Sequence, residues 1–339
     1  MEFVQFHPTS LYGTNILITE GARGEGGYLF NAKGERFMER YVPKLMELGP
    51  RDIVARAIQT EINEGRGFEG GYVHLDLRHL GEEMIEDRLP GIRQIALDFA
   101  GVDPVSKPIP IQPAQHYSMG GIATDLDGQT SLPGLFAAGE CASVSVHGAN
   151  RLGGNSLLDT LVFGVRAGKK AALGVEAEGS LLNRDLFLSH RRTFQSYLEE
   201  VSQRKGEEEC FRLRDEMKSL MTSHVGIFRE ESDLLAAREK IRELKGRAKR
   251  VGVKQKGLAF NYEMVQYLEL EGMLHVAEVI TEGALTREES RGSHFRVDHP
   301  KRDDKDWLRH TLAFKTAGGP RLDYKEVTIT DYPPKERTY

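Results

Sequence analysis

The sequence predicts a multidomain chain of mixed α/β and α+β class, followed by a helical bundle domain and a small C-terminal domain. Two patterns carry that prediction. Up to about residue 175, short β-like runs alternate with helical stretches and glycine turns; from Asn183 to about Ile280, long charged segments each present one apolar stripe. With 339 residues there is room for two or three domains of the usual ~100–200 residues.

MEFVQF opens on an alternating apolar strand that runs straight into His-Pro-Thr, as though in mid-domain. NILITEG, GGYLFN, VHLDL and GLFAAGE read as further β-runs and RDIVARAIQTEI as a helix. NAKGE and DLDGQ are turn signals, each with glycine where a positive φ is expected. GLFAAGE then leads into HGANRLGGNSLLD, His147 to Asp159, and an apolar helix from Leu157 onward. Strand, glycine-rich loop and helix N-terminus in that order make either an anion or cofactor site of exposed N–H groups or a close-packed connection on a sheet. Asn155 and Ser156 stand where they cap the helix. No G-x-G-x-x-G follows a strand anywhere in the chain, so half of any dinucleotide site lies elsewhere.

The character changes after Gly179. LFLSHRRTFQSYLEEVSQ, EECFRLRDEMKSLMTSH, ESDLLAAREKIRELKGRA and NYEMVQYLELEGMLHVAEVI repeat apolar residues at three- and four-residue spacing, as Leu234, Leu235, Ile241 and Leu244 do, and a small antiparallel helical bundle buries such stripes. The basic KIRELKGRAKR reads as a solvated helix end, with cations near the C-terminus where the macrodipole favours them. RGSHFRVDHPKRDDKDWLRHTL reads as a solvated or inter-domain salt-bridge surface, and RLDYKEVTIT as a strand in the polar tail.

Composition excludes several classes. A net charge of −5 argues against a general binder of nucleic acid or acidic membranes. No stretch approaches the ~18–20 apolar residues that span a bilayer. Cys141 and Cys210 lie far apart and read as reduced thiols. His275, Glu278, His294 and His299 have no partners at metal-ligand spacing, so no metal is expected. The 36 glycines exceed the usual share of roughly 7%, and the excess sits in the motifs.

Cationic and imidazole residues recur beside those glycines and β-runs: His7 in QFHPT, Thr19, Glu20 and Arg23 in ITEGARGEGG, Arg51 in GPRDIVARA, His116 in QHYSMGGI and Arg151 in ANRLGG. Arg offers a bidentate fork and His a second donor, which is what a small dicarboxylate needs. Each residue alone is equally readable as a satisfied structural group.

Together these strings, with MEFVQFHPT, GERFMERY, GLFAAGECASVSVHGANRLGGNSLLDTLVFG and the terminal DYPPKERTY, resemble the flavoprotein subunit of succinate dehydrogenase and fumarate reductase, in family order along the whole chain. L-aspartate oxidase shares part of the pattern but departs after GANRL. The resemblance implies a partial flavin-binding domain with a capping domain: residues 1–113 as the cap, 114–178 as the returning half of the FAD-binding domain, 179–282 as the helical domain and 283–339 as the C-terminal domain. It implies that the family's other dinucleotide-binding half precedes Met1, with its glycine turn and, in membrane-bound complexes, a His bonded covalently to FAD.

Carried over by position, His7, Thr19, His116 and Arg151 bind the dicarboxylate, Arg51 gives or takes the proton, and Glu20 and Arg23 relay it to solvent. Glu140, Asn155, Ser156 and Leu157 contact FAD. The implied activity is interconversion of succinate and fumarate, with electrons passed to an iron–sulfur subunit and quinone. The implied place is the cytoplasmic or matrix face of an energy-conserving membrane, held there by membrane anchor subunits. Fumarate reduction as the physiological direction, L-aspartate oxidase, and a catalytically silent piece without FAD stand as alternatives.

Overall fold

The alternating run FVQFHPTSL forms β1 (Phe3–Leu11) in the computed structural model, which describes residues 1–178, 183–257 and 259–335, with the side chains of 175–178 outside that description. Period-two geometry puts Gln5, His7 and Thr9 on one face, and all three are fully buried. A polar row inside a core is unusual, and it locates the candidate site.

β1 belongs mostly to a unit made of Val4–Ser118 with Ile329–Tyr339. Its sheet has the order β1-β4-β3-β2, with β2 (Tyr28–Phe30), β3 (Val73–Asp76) and β4 (Ile109–Met119). β2 and β3 pair antiparallel with Leu29 opposite Leu75, and β3 and β4 with Val73 opposite Ile111. Around the sheet lie the short helices α1 (Gly21–Gly24) and α2 (Met38–Tyr41), then α3 (Arg51–Asn63), α4 (Glu82–Arg88) and α5 (Pro90–Ala100). Val54, Ala57, Ile58 and Glu61 give α3 its buried stripe, packed on Leu29, Val73 and Leu75. α3 starts after Pro50 and stops in a Schellman turn: the Gly65 N–H donates to the Ile62 carbonyl and the Arg66 N–H to the Glu61 carbonyl.

The second unit is Met1–Phe3 with Met119–Thr328. It holds a parallel pair, β5 (Ile122–Ala123) and β6 (Ala142–Ser143), and the long α6 (Asn155–Glu178). The expected bundle follows as α7 (Arg184–Gln203), α8 (Cys210–His224), α9 (Glu231–Ala248) and α10 (Tyr262–Thr286) around Leu213, Ile241, Leu244, Leu270 and Leu274. Asn183 and Asn261 cap α7 and α10 by accepting from Leu186 and Met264 N–H. A hairpin of β7 (Arg309–Thr316) and β8 (Gly319–Glu326) closes the unit. The expected start of the helical domain at 179 and the last residues of the C-terminal domain, 336–339, lie outside the described residues.

Four expectations need correction. NILITEG and GLFAAGE are not strands: Leu17 makes one bridge to Ser10 and Phe136 one bridge to Gln129, because an apolar run becomes a strand only where a neighbour supplies a ladder. α6 begins at Asn155, so Asn155 and Ser156 lie in its first turn rather than capping it, and the Asn155 amide faces the His147 ring at 3.2 Å. The cations ending α9 are tied down rather than merely solvated: Arg247 donates to Glu208 and Glu216, and Lys245 to Glu278. RGSHFRVDHPKRDDKD is a surface only from Val297 on, since Ser293, His294 and Arg296 before it are buried. Arg287, Glu289, His294 and Arg296 are fully buried with Glu2 and Arg229 inside the second unit.

Candidate active site

Six of the sequence-predicted residues lie in the first unit. β1 supplies His7 and β4 His116, whose rings stand edge to face with centroids 5.2 Å apart. The turn after Ile18 leads through exposed Thr19 and Glu20 into α1, which carries Arg23; α3 begins with Arg51. Arg51 Nε donates to Glu20 Oε2 at 2.7 Å, with Arg51 15% and Glu20 49% exposed, so the pair links a buried guanidinium to solvent. Thr19 stands one residue before Glu20, its hydroxyl accepting from the Gly21 N–H at 3.4 Å.

The polar atoms of this group are under-satisfied. His7 Nδ1 lies 3.2 Å from the Thr9 carbonyl and 3.3 Å from the Thr9 N–H, so the ring tautomer decides which of the two it bonds. His7 Nε2, Arg23 Nε, Arg23 Nη2 and Arg51 Nη1 are buried without a hydrogen-bond partner among the described residues. Each such atom costs about 1–3 kcal/mol unless a water or a ligand satisfies it, and four of them gather in this one group. Burial first, then the Arg51 and Arg23 guanidinia and His116, push His7 down to about 3. Burial also pushes Arg23 down to about 10, Glu20 and Glu47 opposing and Arg51 reinforcing it. Positive charge and buried donors suit this group to an anion.

The depressed histidine sets a pH dependence. In the unfolded chain His7 titrates near ~6.5; folded, it stays neutral down to about 3, as does His294, pushed down to about 3 by burial and then by Arg229. Between those values the unfolded state binds more protons, so stability is lost as pH falls from 6.5. Once well below ~6.5, each histidine contributes a slope of about 1.4 kcal/mol per pH unit. Denaturant unfolding at pH 7, 6 and 5 checks this above the carboxylate range. Equal midpoints at pH 7 and 5 would overturn it.

The other predicted residues lie in the second unit. Arg151 is buried and donates to the Leu152 carbonyl at 2.9 Å. Its loop is pinned from two sides. His147 Nε2 meets Asp159 Oδ2 at 3.1 Å, and the Ala149 carbonyl accepts from both the N–H (3.0 Å) and the hydroxyl (2.8 Å) of Ser293. Gly292, at φ +58, allows that contact: a Cβ there would stand 2.5 Å from the Ala149 oxygen. Glu140 and Leu157 are exposed, and Asn155 and Ser156 half-buried. Sequence reasoning missed Ser293, Asp159 and Glu47, which work through partners distant in sequence; only the His147-to-Asp159 spacing across a glycine loop signalled one of them.

Known proteins resemble the chain along its whole length. Residues 1–157 match the FAD binding domain family and residues 214–339 the fumarate reductase flavoprotein C-terminal family. The chain is 44% identical over 356 residues to the fumarate reductase flavoprotein subunit of Haemophilus influenzae, covering 100% of this chain and 59% of that one. It is 44% identical over 366 residues to the succinate dehydrogenase flavoprotein subunit of Rickettsia bellii, covering 100% and 60%. A mutant Escherichia coli quinol fumarate reductase superposes with a TM-score of 0.95 at 42% identity, over 99% of this chain and 60% of that one. The chain thus spans about three fifths of the length of the curated relatives it matches. Both family matches and relatives aligned along all of its residues agree with its motifs, and the chain belongs to the succinate dehydrogenase and fumarate reductase flavoprotein family.

Proposed function

We propose that this chain carries the dicarboxylate site of an FAD-dependent oxidoreductase interconverting succinate and fumarate. The observation that carries the reading is the buried, unpartnered set of His7 Nε2, Arg23 Nε and Nη2, and Arg51 Nη1. A dicarboxylate has the charge and the acceptor geometry to satisfy such donors.

The residues present fit one side of an FAD site. Gly148 and Gly154, at φ +57 and +76, have open space where a Cβ would stand, just ahead of α6. Leu157 and Leu158 are 71% and 60% exposed, beside that helix N-terminus. Apolar surface, a helix N-terminus and the exposed Glu140 carboxylate suit a flat ring with polar edges and a hydroxylated chain. Glu140, Asn155, Ser156 and Leu157 would hold it.

In this reading His7, Thr19, His116 and Arg151 clamp the substrate carboxylates and so fix and polarise the C2–C3 bond. FAD, when bound, supplies hydride exchange at one carbon. Arg51 handles the proton at the other, and its ion pair with half-exposed Glu20 connects it to water. Arg51 becomes neutral when it gives up its proton, and Arg23 beside it, brought down to about 10 by burial, keeps the site positive. A guanidinium has no lone pair to accept a proton, so succinate oxidation requires Arg51 first to pass its own proton towards Glu20 and water.

The four-part division at 113, 178 and 282 belongs to the same proposal, as do an iron–sulfur subunit, membrane anchor subunits and quinone as electron partners. No helix among the described residues is long and apolar enough to cross a membrane, so attachment at the cytoplasmic or matrix face falls to those partners. Flavin-loaded intact protein is expected to reoxidise a reduced viologen dye with fumarate and to reduce an acceptor dye with succinate, L-aspartate being inert. Faster turnover of L-aspartate would move the assignment to aspartate oxidase. FAD-saturated protein that neither turns over nor binds succinate or fumarate would overturn it.

A further inference from the structure

We infer that Glu47 is the positioning residue for the arginine pair: one buried carboxylate fixes the turn from which both Arg23 and Arg51 are held. The inference rests on the reading of those arginines as the proton path. Glu47 lies in the 3-10 turn Met46–Leu48, with its side chain 4% exposed. Both its oxygens are taken by Arg36, Nε to Oε1 at 2.9 Å and Nη2 to Oε2 at 2.7 Å, and Oε1 also accepts from the Leu29 N–H at 3.1 Å. That anchorage holds Met46 at φ +50, a left-handed conformation that a non-glycine residue adopts only under constraint.

The anchored turn acts in two directions. Its Glu47 carbonyl accepts from Arg23 Nη1, the one guanidinium nitrogen of Arg23 with a hydrogen-bond partner among the described residues. Its far end runs through Gly49, whose N–H donates to the Met46 carbonyl at 3.1 Å, into Pro50 and the first residue of α3, Arg51. Moving the turn therefore moves one guanidinium through its hydrogen bond and the other through its helix start.

Glu47 also balances charge. Arg23 faces Arg51 on α3, Glu20 beside α1 and Glu47, while His7 on β1 feels both arginines and His116 on β4; Arg36 meets Glu47 from the far side. Of the two carboxylates, Glu20 is open to water and Glu47 is not. Coulomb attraction from a buried carboxylate is little screened, so Glu47 keeps the Arg23 cation from being depressed further.

The test is Glu47→Gln in the flavin-loaded intact protein, with Arg51→Gln alongside. Glu47→Gln is expected to lower kcat for fumarate reduction about tenfold or more, with KM within about threefold. The basic limb of its pH profile should move to lower pH, since Arg23 loses a neighbouring negative charge. On the chain without flavin, the 15N-resolved Arg23 Nε–H resonance should shift and exchange faster with water, whereas Glu64→Gln, at an exposed carboxylate, should leave it unchanged. A purely structural role would lower the melting temperature and move neither limb nor resonance. If Arg51→Gln retains turnover, the proposed function itself fails. If Arg51→Gln is inactive and Glu47→Gln keeps kcat, limb and resonance, only this inference falls. Should Glu47→Gln not fold, Arg36→Gln decides: the same changes at about threefold in kcat support the inference, and an unmoved limb and resonance overturn it.

Discussion

Replacing Arg51 with Gln is expected to cut kcat for fumarate reduction by the flavin-loaded protein by about 10³, within the roughly 10²–10⁴ that a positioned general acid contributes. Folding should survive the change. The Arg51 ion pair is with Glu20, which is 49% exposed, and pairs of that kind are worth about 0–1 kcal/mol. Loss of turnover with an unchanged unfolding curve therefore isolates the chemistry. Arg51→Lys restores the charge without the fork and should recover only part of the rate. Steady-state kinetics with a dye donor, beside circular dichroism melts, gives the answer; turnover of Arg51→Gln within about threefold of wild type would remove Arg51 from the proton path.

The largest expected effect on stability is at Arg287→Met. Fully buried in the second unit, Arg287 donates to Glu2 Oε1 and Glu289 Oε1 at 2.8 Å each, to the Trp307 and Arg309 carbonyls at 2.9 and 2.8 Å, and to Thr311 Oγ1 at 3.1 Å. Phe3 and Trp307 lie beneath its cation, 4.9 and 5.2 Å from guanidinium carbon to ring centre. Removing it takes the shared cation from Glu2, which keeps Thr311 and Met1 as partners, and from Glu289, which keeps Arg291 and Asp303; breaking a buried ion pair by taking out one partner costs about 3–5 kcal/mol. For a unit of this size that is a fall of roughly 10 °C in melting temperature. Lysine at the same place should rescue little, because a single ammonium cannot reach five acceptors. A melt within about 2 °C of wild type would show that the network carries no net stability.

Helices were legible because their signal is local. ESDLLAAREKIRELKGRA has the same bounds as α9, and of the stripe that marks it in sequence Leu234, Ile241 and Leu244 are buried while Leu235 faces out. GLFAAGE failed as a strand because a strand is a property of two segments, and only Gln129 pairs with Phe136. The buried arginines were illegible for a related reason. Arg287 and Glu2 are 285 residues apart, and nothing in either stretch says that the other will neutralise it. At the candidate site, His7, Glu20, Arg23, Arg51 and His116 stood out as reactive side chains in glycine-rich runs. Glu47 did not, since its meaning arrives only with Arg36 and Arg23, 11 and 24 residues away.

The unpartnered donors around His7 also bear on redesign. A stability-guided scheme would seize on them first, since trading His7 for Leu or Arg23 for Met removes buried atoms with nothing to bond and should look favourable. The same substitutions would erase the proposed dicarboxylate site. Within this chain, the residues most tempting to an optimiser are the ones whose discomfort marks where a ligand belongs, and local frustration there serves as a map of function rather than a list of defects.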